Sequence, residues 1–334
     1  MNKGIIALIL LLVSCIGCQN KIKPLGELES SKEIIVSGDE NEMLMINAGM
    51  FALDKSQYKD ENGDIAIIPK DFKVSEKSDE QTINTGLVII DKDGNEFVWI
   101  PTTNTKFERR NFAPSGVWNQ SYSLSDSKSS SAYYDEIDSD EYISMKNSVE
   151  KYGGFYIGRY ESSMSEKENI PSVKKITTSD KEKIWTNISP QDIKIVCNNM
   201  YFYNDTVIGF FTYGINFDTV LQWLIDTGCK TEEDIRVDSS SWGNYSNNTF
   251  TGNVKSGTTG MFEEAKANNI YDLAGNYWEW TAERYGDNFV MRCGGYNLMG
   301  GECTGSSFPV ANRDPLPGNN HHPNVSFRVC LYLK

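Results

Sequence analysis

Residues 269–281 constrain the fold of this chain more than any other segment. Two acids, Asp272 and Glu279, flank a Gly-Asn turn, and the aromatic residues near them include Trp278 and Trp280. A turn between two carboxylates can direct backbone carbonyls inward, and Ca²⁺ is bound by oxygen ligands that converge from a short loop. The segment therefore predicts one of two structures, a cation site or a tight turn that leads into a buried strand.

The start of the chain predicts export. A short basic start precedes an apolar run at residues 4–12, which is too short to cross a bilayer as a helix and is typical of a signal peptide. Residues 12–15 (LVSC) resemble a bacterial lipobox, in which the signal is cut before the cysteine and the thiol is lipidated. Cys18 is the alternative site, and a cleaved signal without lipid is the other alternative. We expect residues 1–14 to be a lipoprotein signal peptide and Cys15 to anchor an extracytoplasmic protein to the bacterial cell membrane.

Composition excludes several partners and sites. The 334 residues are 39% hydrophobic, which is enough for one large core. The formal net charge of −14 disfavours contact with nucleic acid and anionic lipid, so no nucleic-acid partner is expected. The two histidines, His321 and His322, are adjacent, which argues against a histidine-based catalytic triad and against an iron or zinc site built from several histidines.

The pattern along the chain predicts a tether followed by one domain. Residues 15–63 are assigned to a tether and N-terminal extension, and the apolar patch at residues 43–53 predicts a short helix. Residues 86–90 and 96–101 flank an Asp-Gly turn and predict a β-hairpin.

Two helices are predicted further along the chain. Ser189 and Pro190 have the residue types of an N-cap and a first helical position, and apolar residues follow at helical spacing from Ile193. Residues 218–226 predict a second, mostly buried helix. Beyond residue 238, glycine, asparagine, serine and aromatic residues predict short strands and long loops.

Eight segments, in order along the chain, resemble the formylglycine-generating enzyme (sulfatase-modifying factor) family. They are residues 97–101 (FVWIP), 154–161 (GFYIGRYE), 187–192 (NISPQD), 213–218 (YGINFD), 242–246 (WGNYS), 269–281, 292–296 (RCGGY) and 326–333 (SFRVCLYL). The resemblance implies a domain over residues 64–334 with an α+β, C-type-lectin-like fold of short twisted strands, two core helices and many loops.

The resemblance also implies a structural Ca²⁺ site. In the family, the segment equivalent to residues 269–281 binds Ca²⁺ through an acid or amide side chain, two backbone carbonyls and a glutamate. The equivalent ligands in this chain are the Asp272 side chain, the Gly275 and Tyr277 carbonyls, and the Glu279 side chain.

The catalytic residues of the family are incomplete in this chain. Family enzymes oxidise a substrate cysteine at two cysteines that are thought to hold Cu(I), and the equivalent positions here are Leu298 and Cys303. One thiolate does not make a two-coordinate copper site. The resemblance therefore favours a non-catalytic member. The alternative is an oxidase with an altered site that uses copper and modifies a cysteine in sulfatases or other partner proteins.

Five cysteines follow the lipobox, and disulfides are permitted outside the cytoplasm. The resemblance implies a Cys197–Cys330 bridge. Cys293–Cys303 is a second possibility, which would leave Cys229 unpaired. The other interpretation is that all five are small buried apolar residues.

Three functions are consistent with these features. The first is a cell-surface binding module whose C-terminal loops present Tyr296, Asn297, Asn312 and Arg313 to a glycan or protein ligand. The second is the altered oxidase. The third is a structural envelope component that binds no small ligand.

Overall fold

Two large sheets, four smaller ones and four α-helices form an α+β fold in the part of the chain that the structure describes. The computed structural model describes residues 43–110, 112, 134–136, 139–165, 169–246, 248, 250, 257–298, 301–319 and 321–334, and for residues 134–136, 297–298 and 301–302 it describes the backbone alone. None of the helices in these residues combines the length and the apolarity needed to cross a bilayer.

The helices are α1 (Asp140–Tyr152), α2 (Pro190–Met200), α3 (Gly214–Asp226) and α4 (Glu232–Arg236). The strands are β1 (Leu44–Met45), β2 (Ser56–Lys59), β3 (Ile65–Ile68), β4 (Phe72–Val74), β5 (Val88–Asp91), β6 (Glu96–Pro101), β7 (Tyr134–Glu136), β8 (Gly154–Gly158), β9 (Ser163–Met164), β10 (Pro171–Ser172), β11 (Val207–Phe211), β12 (Lys266–Ala267), β13 (Ile270–Tyr271), β14 (Trp278–Tyr285), β15 (Asn288–Arg292), β16 (Asn297–Leu298), β17 (Gly301–Glu302), β18 (Asp314–Pro317), β19 (Val325–Phe327) and β20 (Val329–Leu333).

The first sheet has the strand order β11-β20-β8-β6-β5-β4, and all its neighbouring strands are antiparallel. The second sheet has the order β18-β15-β14-β19, and β7 also pairs with β14. Strands β14 and β19 are parallel, whereas β14 and β15 form an antiparallel hairpin.

A single residue, Arg328, separates β19 in the second sheet from β20 in the first. The chain therefore passes from one sheet to the other at a buried arginine. Its guanidinium donates to the Gly158 carbonyl at the end of β8 at 3.0 Å and to the Tyr271 carbonyl of β13 at 3.0 Å. This side chain satisfies backbone carbonyls where the two sheets meet, and so fixes the junction.

The predicted hairpin and the predicted helix after Ser189 are confirmed. Strands β5 and β6 pair antiparallel, and the Ser189 hydroxyl accepts from the Asp192 amide at 3.2 Å at the start of α2. The second predicted helix begins earlier than expected, at Gly214, because the Asn216 side chain accepts from the Tyr213 amide at 3.3 Å and closes the first turn.

One local prediction is wrong, and one helix was not predicted. The patch at residues 43–53 contains no helix; instead, β1 pairs in parallel with β2, which pairs with β3. Long-range pairing therefore overrides the local apolar pattern, and part of the predicted N-terminal extension lies in the compact unit Met43–Lys334. Helix α1 was not predicted, because it has few buried apolar residues and so shows little of the apolar spacing that indicates a helix. Two of them are Met145 and Val149.

Candidate functional site

The turn at residues 272–277 connects β13 to β14 through left-handed backbone. Asp272, Gly275 and Asn276 have φ angles of 53°, 79° and 58°. A Cβ on Gly275 would lie 2.5 Å from the Asn244 carbonyl oxygen, so only glycine fits. The Asn276 amide donates to that oxygen at 2.7 Å, and the Asn244 amide donates to the Ala274 carbonyl at 2.8 Å. These bonds fix the turn, and the strand that follows is buried at Trp278 and Trp280.

The two acids predicted from the sequence come together with a third acid, Glu161. The three carboxylates of Glu161, Asp272 and Glu279 are buried. Glu161 accepts from the Tyr277 amide at 3.1 Å and from the side-chain amide of Asn276. Sequence reasoning missed Glu161 as a site residue because it lies far from the turn in sequence, although it ends one of the family-like segments. We refer to these three acids and Arg328 as the acidic turn cluster.

The acidic turn cluster contains one cationic side chain. Arg328 donates to Glu279 from Nη2 at 2.7 Å and from Nε at 3.0 Å. Asp272 accepts from the Gly260 amide at 2.7 Å and from the Thr259 hydroxyl at 3.1 Å. When all three carboxylates are ionised, the single guanidinium does not neutralise them, and the cluster carries a net negative charge.

Burial therefore opposes ionisation of this cluster. Burial raises the pKa of Glu161 well above its ordinary value, and the neighbouring charges of Glu279 and Asp272 raise it further. Burial also raises the pKa of the Asp272 carboxyl, against hydrogen bonds that partly offset it. A cation at this position would favour the ionised forms.

The residues fit Ca²⁺ in donor type and in charge. The buried carbonyl of Gly275 accepts no hydrogen bond from the described residues, and the buried Oδ1 of Asn244 has no partner among them. Unpaired buried oxygens next to excess carboxylates are suited to a hard cation. However, no group of three or more His, Cys, Asp or Glu side chains in the described residues is arranged to hold one metal ion, and Glu279 is engaged by Arg328. Ca²⁺ binding would therefore require local rearrangement of these side chains.

Two residues of the predicted ligand face are buried instead of exposed, which corrects that expectation. Asn312 and Arg313 are 1% and 4% exposed. Arg313 donates to Asp218 at 2.6 Å and to Glu283 at 2.8 Å. A guanidinium whose donors match two buried carboxylates is stabilised by ion pairing inside the protein and is not available to a ligand.

Glu283 lies at the centre of this second ionic cluster. Its carboxylate contacts Arg109 at 2.5 Å, Arg313 at 2.8 Å and Arg292 at 3.0 Å. Arg292 also contacts Asp218, at 2.9 Å. Burial alone would raise the pKa of Glu283, but the three guanidinium charges outweigh burial and lower it to about 2. We refer to these five side chains as the arginine network.

Of the other two residues of the predicted face, Tyr296 contacts the turn of the acidic turn cluster and Asn297 follows it in the chain. Tyr296 is half-buried, and its amide donates to the Asn276 carbonyl at 2.7 Å. Asn297 is in β16, which pairs with β17, and its side chain lies outside the described residues. The four predicted face residues therefore do not form one exposed surface.

The cysteines do not fit a two-thiolate copper site. Leu298 is in β16, and Cys303 is buried after β17. Cys293 is a further buried cysteine in this part of the chain, and burial raises the pKa of its thiol well above its ordinary value, which disfavours the thiolate that Cu(I) requires. We therefore derive no oxidation step through copper at these residues.

No disulfide joins Cys197 to Cys330 or Cys293 to Cys303 in the structure. Cys197 and Cys330 are both buried. Burial raises the pKa of the Cys197 thiol well above its ordinary value and the Cys330 thiol raises it further, so the two side chains lie near each other. Both pairings remain predictions. Cys15 and Cys18 lie outside the described residues.

Comparison with known proteins gives only distant similarity of fold. No family model matches the sequence, and no curated protein matches it. Among solved structures, PvdO from Pseudomonas aeruginosa is 12% identical over 74% of this chain and 98% of its own, with a TM-score of 0.42. Treponema denticola variable protein 1 is 13% identical over 53% and 84%, with a TM-score of 0.37, and CarF is 13% identical over 54% and 87%, with a TM-score of 0.36. No function is transferred from them.

Proposed function

We propose that this protein is a lipid-anchored, extracytoplasmic binding module of the bacterial cell surface. Its domain is of the formylglycine-generating-enzyme type, with a C-type-lectin-like fold, and it binds a glycan or protein ligand without catalysis. The order of the family-like segments supports the family, and the lipobox-like sequence before Cys15 supports the anchor.

One observation carries the binding function. The segment between β15 and β19, residues 293–324, is mostly loop, and Arg313 fastens it to the protein interior through the arginine network. The same segment exposes Ser306, Asn319 and His321. Binding residues of proteins are often on surface loops that a rigid scaffold holds in position.

Ca²⁺ is part of this proposal as a structural cofactor. The side chains of Asp272 and Glu279 and the carbonyls of Gly275 and Tyr277 would hold it. Its charge would offset the excess of carboxylates in the acidic turn cluster, and it would stabilise a turn that has no regular ladder of hydrogen bonds. The Gly275 carbonyl supports this assignment, because it accepts no hydrogen bond from the described residues.

The binding function is tested with the full, lipidated chain in detergent. The protein is applied to a glycan array and used to capture partners from envelope extracts. We expect a saturable ligand, and we expect Asn319→Arg to weaken its binding at least about tenfold by placing a bulky charge at an exposed loop. Ser179→Arg, at an exposed turn elsewhere, is the matched control. If neither assay finds a ligand, the protein is better described as a structural envelope component.

The altered oxidase is tested separately. The reduced protein is incubated with Cu(I) and a cysteine peptide of the sulfatase type. We expect neither copper uptake nor peptide oxidation, because Leu298 replaces one of the two thiolates. Copper uptake that Cys303→Ser abolishes would reinstate the oxidase.

A further inference from the structure

A cleft of about 420 Å³ lies beside α2, outside the acidic turn cluster and the arginine network. Its walls are the exposed side of α2, the segment at residues 185–188 and the loop that contains His321. The volume is within the range of sites that take small molecules. The floor is apolar and consists of Trp185, Ile188 and Val196, each buried.

The rim of the cleft is polar and carries uncommitted hydrogen-bonding groups. The side-chain amides of Asn169 and Asn199 make no hydrogen bond to any described residue. Asp192 accepts from the Ser189 hydroxyl at 2.7 Å through one of its two oxygens. Each uncommitted amide offers two donors and one acceptor oxygen to a ligand.

One wall of the cleft is held in place by short-range contacts. Asn187 has a left-handed φ of 56°, and its carbonyl lies 2.8 Å from Nδ1 of His321. The Asn187 amide donates to the His322 carbonyl at 3.1 Å. Nε2 of His321 has no partner among the described residues. A wall that is already ordered loses little conformational entropy when a ligand binds.

Exposed apolar residues lie along α2 and in the turn that follows it. Ile195, which lines it, is 58% exposed and lies one helical turn before Asn199. Phe202 and Tyr203 follow in the turn after the helix and are 68% and 96% exposed.

We propose that this cleft binds a neutral saccharide unit. Amide and imidazole groups match hydroxyl groups, which both donate and accept, and the indole and aliphatic floor matches the apolar face of a sugar ring. The lining contains no lysine or arginine, and the chain carries a net charge of −14, so an anionic ligand is disfavoured. This inference rests on the proposed binding function and names the ligand class and its place.

The inference is tested with the full chain on an array of neutral gluco-, galacto-, manno- and N-acetylhexosamine oligosaccharides, followed by calorimetry with those that bind. Asn199→Ala and His321→Ala each remove one rim group. We expect each to weaken binding about 3- to 10-fold, the loss that follows from one hydrogen bond, and the double variant to weaken it further. Alanine favours a helix more than asparagine does, so Asn199→Ala leaves α2 intact. Asn62→Ala, at an exposed turn between β2 and β3, is the matched control and should bind as the unchanged protein does.

The outcomes separate this inference from the proposed function. A saccharide whose affinity the double variant leaves unchanged overturns the cleft as the site, although the binding module stands. A protein or peptide captured from envelope extracts, with no saccharide bound, overturns the ligand class and leaves the binding module. The absence of any ligand on the array and in the extracts overturns both.

Discussion

Replacing Glu283 by glutamine removes the charge on which the arginine network depends. Glu283 is fully buried and contacts three guanidinium groups, and its pKa is lowered from 4.5 to about 2. This lowering of the pKa corresponds to about 3 kcal/mol of folding free energy at neutral pH. The same magnitude is typical when one partner of a buried ion pair is removed. We therefore expect Glu283→Gln to destabilise the protein by about 3 kcal/mol at pH 7.

The assay is urea denaturation of the unchanged protein, Glu283→Gln and a control variant, monitored by tryptophan fluorescence. The matched control is Glu232→Gln, which removes the same charge from a solvent-exposed pair with Arg236 on α4. A surface pair of this kind contributes about 0.5 kcal/mol or less. The slope of the free energy against urea should be the same for all three proteins, so that the midpoints report stability alone.

The pH dependence gives a second check on Glu283. Its pKa is lowered in the folded state, so its contribution is complete above the unfolded pKa and is lost as the pH falls towards about 2. The difference in the free energy of unfolding between the unchanged protein and Glu283→Gln should therefore decrease by more than half from about pH 7 to about pH 3. A cost no larger than that of Glu232→Gln, or a cost that does not change with pH, would refute this reasoning.

Three further predictions concern the acidic turn cluster and the anchor. Burial raises the pKa of Glu161, so the contribution of this carboxyl to stability is present below its unfolded pKa and is lost as the pH rises. In EGTA the melting temperature of the protein should therefore fall from about pH 5 to about pH 8. Either added Ca²⁺ or the Glu161→Gln substitution should reduce this fall. A fall that Ca²⁺ leaves unchanged argues against the cation. Arg328→Met leaves buried carboxylates without their cation and should lower the free energy of unfolding in urea by about 3–5 kcal/mol. The control Arg236→Met, at an exposed ion pair, should lower it by less than about 1 kcal/mol. Similar losses for the two variants would contradict the role of Arg328. Cys15→Ser should move the protein from the membrane fraction to the soluble fraction, whereas Cys18→Ser should not, and the reverse result would assign the lipid to Cys18.

Sequence reasoning succeeded where a local pattern decides the structure. The hairpin of β5 and β6 follows from an Asp-Gly turn between apolar runs, and the start of α2 follows from a serine cap and a proline. Sequence reasoning failed at residues 43–53. Part of the apolar patch there forms β1, which pairs with β2, and no local pattern specifies that pairing.

The predicted ligand face shows the same limit at the level of function. Arg313 has the composition of an exposed binding residue in a loop, but it is buried because Asp218 and Glu283 supply two carboxylates from α3 and β14. Nothing in the local sequence of any of the three indicates their convergence. The cleft beside α2 was missed for a similar reason, since Trp185, Asn199 and His321 come from three separate segments.

Residues 269–281 show which properties of the site depend on the local sequence and which depend on the tertiary structure. The sequence by itself determined that a glycine-containing turn lies between two acids and leads into a tryptophan-rich strand, because glycine spacing and side-chain types are local properties. Only the tertiary structure decided that Glu161 and Arg328 join those acids, and that one arginine faces three buried carboxylates. The reason is that the net charge of a buried site depends on which distant segments are packed against it, and packing is a property of the whole chain.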